Sequence, residues 1–322
     1  MQVQDVRFGL DLLMLDHFIP KKFHTLPGNL RGGILLMFAA AGFGTMIALI
    51  KLAGENLHVA QILLIRQVIM AIILAPMILK DFPGSLKTNH MGLQLLRIAL
   101  ALVAMGFGFT AVVNMPLADA TAIGFAKSFF VTICAIFVLN EVIGIRRWAA
   151  VIIGFIGVLI VLRPGTDSFT IYGVYALIGA AGAGTVMVVI RLLTKTESAT
   201  TIMTYQALGV GLAVAIPGIW LWKWPTVFEW YLLLGMGLIS YVAQMFNILA
   251  YKYGEASVMA SLDYVRLIYS IIFGYVLFSH SPDFWTLFGA SVIIGASIYT
   301  IHREAQKKQV LVSTHEGRGK IG

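Results

Sequence analysis

Residues 116–141 read PLADATAIGFAKSFFVTICAIFVLNE, and the reading of this run decides the fold. A helix that crosses a bilayer needs about 20 mainly apolar residues at a rise of about 1.5 Å each. The run is apolar from Gly124 to Leu139, stops at Asn140-Glu141, and is followed by Arg146-Arg147-Trp148. Its length and flanks fit one span, yet Lys127 sits in the middle. A lysine at the centre of such a helix costs about 2.5–3.5 kcal/mol on insertion scales, so a chain that keeps one turns it toward a partner or a water-filled cavity.

The composition agrees with a membrane setting. Hydrophobic residues make up 59% and charged residues 12%, with a mean hydropathy of +0.88, whereas soluble domains carry roughly 45–50% and about 25%. The chain is read as an all-α integral membrane protein whose surroundings are the lipid bilayer. Its net charge of +8 does not point to nucleic acid, because the basic residues lie between apolar runs and form no soluble patch. The single Cys134 lies in an apolar run and offers neither an intrachain disulfide nor a multi-cysteine metal site. No metal or cofactor is expected.

Apolar runs bounded by charge, glycine or proline give ten spans, over 31–51, 58–79, 93–113, 117–139, 145–163, 171–192, 198–221, 229–250, 256–278 and 284–301. Residues 1–30 read as a cytoplasmic or interfacial segment, since Asp11 and Asp16 interrupt a run too short to span. Residues 304–322 form a polar tail. Lys and Arg gather on one set of connections, from Lys21, Lys22 and Lys80 to Arg146, Arg147, Lys195 and Lys308, while the other set holds Lys51, Arg163 and Lys223. That bias puts both termini in the cytoplasm. Trp220, Trp222, Trp224, Trp230 and Trp285 then collect at the outer interface, where indoles favour the headgroup level.

The chain also resembles itself. At an offset of about 140, Gly33, Ala40-Ala41-Gly42, Gly44-Thr45 and Lys51 fall on Gly173, Ala180-Ala181-Gly182, Gly184-Thr185 and Arg191, and Asp119-Ala120-Thr121 echoes Glu255-Ala256-Ser257. This marks a tandem duplication, with one unit over 31–165 and the other over 170–303. Because each unit has five spans, an odd number, the second enters the bilayer from the opposite side, giving two inverted five-helix repeats. The glycine and alanine pairs read as close helix contacts, since Gly42-Phe43-Gly44 lacks the strand and Lys-Ser/Thr of a phosphate loop.

Pro116-Leu117-Ala118-Asp119-Ala120-Thr121-Ala122-Ile123, Asn140-Glu141, Trp148, Gly154, Gly157-Val158 and Leu162-Arg163-Pro164-Gly165 together resemble the EamA family of the drug/metabolite transporter superfamily. The likeness continues at Tyr253-Gly254-Glu255-Ala256-Ser257 and from Trp285 to Gly295. The resemblance implies a ten-helix bundle that moves small metabolites by alternating access. Two positions depart from it. Ser128 stands where many members have proline, which puts a kink there in doubt, and Ser279-His280-Ser281 stands where members often carry glutamate. His280 reads as an interfacial residue, with a pH sensor as the alternative.

Candidate substrate-binding residues are the costly ones inside the spans. Lys127 and Arg266 lie 139 residues apart, each mid-span, and Arg66 adds a third cation. Exposed to lipid, the three would cost on the order of 8–10 kcal/mol. Asp263 stands three residues before Arg266 and can pair with it, which is also its bland reading, or serve as a proton-coupling carboxylate. One carboxylate leaves an excess of positive charge, which suits an anionic group on the substrate. Basic residues on the corresponding helices of the triose-phosphate and nucleotide-sugar carriers support that location. Tyr241 and Gln244 in the eighth span, Tyr269 beyond Arg266, and Gln206 complete the set, with interhelical hydrogen bonding as the plainer use of each. Tyr205-Gln206 are expected at the positions equivalent to Ile65-Arg66.

The function expected is secondary transport of a small anionic or zwitterionic metabolite, such as an amino acid, a carboxylate or a nucleoside-like compound, across a bacterial inner membrane, with protons as an alternative coupling partner. The alternatives from other classes are an intramembrane enzyme, disfavoured because no His-Glu-x-x-His or Gly-x-Ser-x-Gly motif is present, and a non-transporting scaffold.

Overall fold

A computed structural model describes residues 26–299, apart from 81, 83–85, 140–144, 167–168, 194–195, 198, 254–263 and 297. Among the described residues every regular element is a helix: α1 (Gly28–Ala53), α2 (Val59–Lys80), α3 (Met91–Asn114), α4 (Leu117–Gly124), α5 (Lys127–Leu139), α6 (Ile145–Leu162), α7 (Ile171–Leu193), α8 (Ala199–Trp220), α9 (Val227–Tyr253), α10 (Val265–Phe278) and α11 (Phe284–Ala296). Six helices, α1, α2, α3, α7, α8 and α9, are long and apolar enough to cross a membrane. Large apolar side chains face outward along them, as Ile72, Leu212 and Ile216 do, which is how a helix bundle meets lipid rather than water. Asp263, Asn140-Glu141, Glu255-Ala256-Ser257, most of residues 1–30 and the tail lie outside the described residues.

The halves are interleaved. The most extensive contacts run between them: α1 against α9, α3 against α7, and α2 against α8, then α5 against α7 and α10 against α1. Exchanging first-half helices for their second-half counterparts leaves this pattern unchanged, since α1 corresponds to α7 and α3 to α9. The small residues explain why. A Cβ built on Gly42 would lie 2.8 Å from the Ala243 Cβ on α9, and one on Gly182 would lie 3.0 Å from the Ala104 backbone on α3. Two residues further, Gly44 backs onto the Tyr269 Cβ and Gly184 onto the Phe130 Cβ, each at 2.9 Å. Thr45 and Thr185 both return their hydroxyls to the carbonyl four residues earlier at 2.9 Å. The glycines thus bring backbones of opposite halves into contact at matched positions, the close-approach role the sequence assigned them. Pro76 in α2 and Pro217 in α8 sit near matching helix ends.

Each end of the bundle is tied by polar contacts that also cross between halves. Glu197 accepts from the Gln94 side chain at 2.6 Å and from the Asn89 backbone at 3.2 Å, and also from Thr88. At the other end Gln61 donates to the Lys223 carbonyl at 2.7 Å. Lys51, read from sequence as a marker of topology, points its ammonium at the Val112, Val113 and Met115 carbonyls at 3.2, 3.1 and 2.8 Å. It satisfies the orphan carbonyls at the C-terminus of α3, where a cation suits the helix dipole.

Candidate functional site

The expected single span over 117–139 is two helices. α4 ends at Gly124, Phe125 and Ala126 form a turn, and α5 begins at Lys127. Across the turn the backbone bonds tighten to three-residue spacing at Ala126, Ser128 and Phe129. The Ser128 hydroxyl donates to the Phe125 carbonyl at 2.9 Å. The sequence put a kink in doubt because serine replaces proline; the break is present, and the Ser128 backbone N–H and hydroxyl both bond the Phe125 carbonyl there, at 3.1 and 2.9 Å. Lys127 is therefore not in the middle of a helix but at the start of one, whose next N–H groups, those of Ser128, Phe129 and Phe130, bond the Phe125 and Ala126 carbonyls of the turn.

In the second half the described residues of this span begin at Tyr264. Tyr264 precedes α10, and Arg266 is the second residue of that helix. The Phe125 and Tyr264 rings meet edge to face with centroids 4.8 Å apart, the Thr121 and Ser270 hydroxyls are 2.8 Å apart, and Leu117 lies against Gly274. α4 and α10 therefore cross antiparallel. Phe125 and Tyr264 are 139 residues apart, so the pseudo-two-fold axis passes between equivalent residues. Lys127 and Arg266 each follow two residues later, one on either side. The Arg266 guanidinium lies over the Phe43 ring at 4.6 Å, and the Lys127 carbonyl backs onto Gly184 of α7.

The same axis passes through a second crossing, between α2 and α8. Gln67 donates to the Gln206 carbonyl at 3.1 Å, and these residues are again 139 apart. The bounds of the two helices, Val59–Lys80 and Ala199–Trp220, keep an offset of 140, which fits the expected match of Tyr205-Gln206 with Ile65-Arg66. Arg66 is buried, with its Nε and Nη2 on the Ser240 hydroxyl at 3.2 and 3.0 Å, its Nη1 at 3.5 Å from the Gln67 carbonyl oxygen, and the Phe109 ring 6.0 Å away. The Tyr205 hydroxyl instead reaches the Leu86 carbonyl at 2.9 Å.

Arg97 joins this crossing and escaped the sequence reading. It is 3% exposed, donates to the Ile202 carbonyl at 2.9 Å and bonds to the Gln206 side chain. Among the described residues no carboxylate pairs with Arg66 or Arg97. The cost of burying such a cation is several kcal/mol, offset here by hydroxyl, amide and carbonyl acceptors. The structure thus groups Arg66, Gln67, Gln206 and Arg97 at one crossing, and Lys127 and Arg266 at the other. None of Arg66's hydrogen bonds goes to Lys127 or Arg266. Gln244 lies one turn beyond Ser240 on α9, next to the Arg66 crossing, with Tyr241 beside Ser240, and Tyr269 packs on α1 through Gly44. Asp263 is outside the described residues.

A cavity of about 450 Å³ opens between α2, α3, α7 and α8, lined by His58, Leu63, Leu102, Phe107, Tyr175 and Val214 among others. It contains none of the expected site residues, and Phe107 on its wall faces outward, so it reads as a groove on the lipid-facing surface. No cluster of His, Cys, Asp or Glu fit to hold a metal occurs among the described residues.

The EamA-like transporter family matches the chain twice, over residues 30–163 and 170–301. A riboflavin transporter of Brucella anthropi is 28% identical over 282 residues, covering 84% of this chain and 98% of the relative. An S-adenosylmethionine uptake transporter of Rickettsia bellii is 30% identical, covering 79% and 87%. The pseudopaline exporter CntI of Pseudomonas aeruginosa is 29% identical, covering 84% and 95%. A solved crystal structure superposes with a TM-score of 0.59 over 86% of this chain and 98% of that chain at 14% identity, a likeness of fold alone.

Proposed function

The chain belongs to the EamA-like transporter family, and we propose that it is a secondary transporter carrying a small anionic or zwitterionic metabolite across a bacterial inner membrane by alternating access. In this reading ten spans form two inverted five-helix repeats, α4 with α5 makes one broken span, and both termini face the cytoplasm. The observation that carries it is the meeting of Phe125 and Tyr264 at the pseudo-two-fold axis, with Lys127 and Arg266 two residues beyond. The positive ends of the helix dipoles at the starts of α5 and α10 favour the anionic group of a substrate near the midplane. Lys127 and Arg266 add formal charge beside those ends, and Arg66, the third candidate cation, stands at the α2–α8 crossing on the Ser240 hydroxyl.

Phe43 and Phe109, beside Arg266 and Arg66, together with Phe125 and Tyr264, offer ring faces and edges to a planar heterocycle. A substrate with an aromatic ring and a carboxylate or similar acid, such as a nucleoside-like amino acid, uses both features. The names of the relatives supply the first probes, riboflavin and S-adenosylmethionine.

The test is uptake and counterflow of these two labelled compounds, and of a panel of labelled amino acids and carboxylates, in liposomes holding the purified protein. Accumulation or exchange of an acid is expected. Lys127→Met and Arg266→Met should each weaken its binding by roughly ten- to a hundredfold, the loss of one charge-assisted contact, while a neutral amide analogue loses much less. Equal losses for acid and amide in correctly inserted variants would make both cations structural and defeat the anionic reading. Conversion of a labelled compound instead of its movement would point to an enzyme.

A further inference from the structure

Asp119 is a carboxylate that the proposed transport site does not use. It lies in the first turn of α4, half-buried, yet it does not cap its own helix, whose N-cap position is Pro116 with no side-chain hydrogen bond. Its Oδ1 accepts from the Thr286 hydroxyl at 2.7 Å. Thr286 is 2% exposed and belongs to the first turn of α11, in the other half of the chain. Glu229, the other carboxylate inside a described helix, behaves differently: it accepts from the Thr226 backbone at 2.7 Å while its own N–H reaches the Thr226 hydroxyl at 3.3 Å, a capping box that occupies it locally.

The surroundings of Asp119 are charged and come from several elements. Asp283 caps α11 by accepting from the Thr286 backbone at 2.9 Å, and it pairs with Arg163 at the end of α6. Arg163 holds a left-handed backbone at φ 45° just after the last helical residue. His280, past the end of α10, stacks on Phe278 at 6.4 Å. Asp283, Arg163 and His280 are the groups whose charge reaches Asp119. Of the other helices packed on α4, α7 brings the Tyr172 and Tyr175 phenols, and α3 brings none of its own at this end, its carbonyls being held by Lys51 of α1, over the Phe278 ring at 5.3 Å.

We propose that Asp119 is a proton-binding residue whose ionised form latches α4 to α11 and whose protonation releases this end of the bundle. The ligand is H⁺, and the inference rests on the alternating-access reading above. The ionised carboxylate accepts from the Thr286 hydroxyl of α11 and is drawn to Arg163 against the repulsion of Asp283, so the half-helix leading to the Phe125 break is held against the opposite repeat. A proton on Asp119 cancels that attraction and leaves a neutral hydrogen bond, roughly half as strong as a charge-assisted one. Release moves the half-helix that precedes Lys127, which links proton binding to the substrate level. Asp283 is not the titrating group over the range tested. Burial pushes its carboxyl up, but the bonds from Arg163 and Thr286 outweigh that and hold it below the usual carboxylate range.

The experiment needs no substrate. In a Cys134→Ala background, nitroxides are placed at Asn114→Cys, next to α4, and Ser281→Cys, next to α11, both exposed. Pulsed EPR then reads their separation in lipid nanodiscs between about pH 8 and about pH 5. The expected result is one short distance at high pH and a growing longer population as pH falls. Asp119→Asn keeps an acceptor for Thr286 but removes the charge, so it should show the long population at all pH values and no response. Thr286→Val keeps the carboxylate and should shift the response to higher pH. His280→Gln should preserve it. A wild-type distance indifferent to pH, an unchanged response in Asp119→Asn, or a response abolished only by His280→Gln would each overturn the latch. If the response is present but no labelled acid moves in liposomes, the latch stands and the transport reading fails; the reverse pattern leaves transport and removes the latch.

Discussion

The axis of pseudo-symmetry crosses the bundle twice, and the two crossings are built from different chemistry. Where α4 meets α10 the touching residues are aromatic, Phe125 and Tyr264, and the flanking cations are themselves equivalent, Lys127 and Arg266. Where α2 meets α8 the touching residues are amides, Gln67 and Gln206, and the cations are not duplicated. Arg66 has Gln206 as its counterpart, and Arg97 has the buried Met236. The difference teaches where asymmetry resides. A symmetric pair of charges serves both conformations of an inverted-repeat carrier alike, whereas a charge confined to one repeat is bonded to a particular neighbour, as Arg97 is to the Ile202 carbonyl.

The largest effect that would break this contrast concerns Arg97. Arg97→Met imitates its counterpart but strips bonds from the Ile202 carbonyl and the Gln206 side chain. Bonds from charged groups contribute about 1.5–3 kcal/mol each, so a loss on the order of 3 kcal/mol is expected, seen as a lower unfolding midpoint in detergent without ligand. Lys127→Met should leave that midpoint nearly unchanged and lower acid affinity instead. If both variants lose stability alike, the cations at the two crossings share one structural role.

This contrast also governs what the sequence reveals. Lys127 and Arg266 are legible because duplication kept a charge at both equivalent positions, so self-comparison finds them. Arg97 has an apolar counterpart and stands near the end of its span, where a basic residue resembles a topology marker. The close helix contacts could be read from Gly42, Gly44, Gly182 and Gly184, since small residues at matched positions have few other uses in a membrane bundle. The break after Gly124 could not, because a few tightened backbone bonds leave the apolar run uninterrupted.

A smaller effect tests the aromatic crossing from behind. A Cβ on Gly184 would lie 2.6 Å from the Lys127 carbonyl oxygen, a backbone atom at the break, whereas one on Gly44 would meet side-chain atoms of Tyr269 and Phe273. Neither a carbonyl nor a Cβ steps aside by changing rotamer, so Gly184→Ala and Gly44→Ala should each cost about 1–3 kcal/mol, within the usual range for overpacking, and Gly184→Ala the more, since its nearest atom lies at 2.6 Å against 2.9 Å for Gly44. Thermal unfolding of the two variants in one detergent gives the comparison. Equal costs would mean that the α4–α5 break shifts more readily than α10 does.

The smallest effect probes the polar crossing itself. Gln67 is 1% exposed, and its amide donates to the Gln206 carbonyl at 3.1 Å while its own carbonyl oxygen receives only a long contact from Arg66 at 3.5 Å. Gln67→Leu keeps the volume, removes the first bond, and leaves the Gln206 carbonyl without that donor. The cost of a neutral hydrogen bond, about 0.5–1.5 kcal/mol, should appear as a modest fall in the unfolding midpoint, because Arg66 keeps both bonds to Ser240. Acid affinity should stay within about twofold of wild type, against the ten- to a hundredfold loss expected of Lys127→Met. A loss of affinity in Gln67→Leu as large as in Lys127→Met would place the amide crossing inside the substrate site, and the two crossings would then act as one.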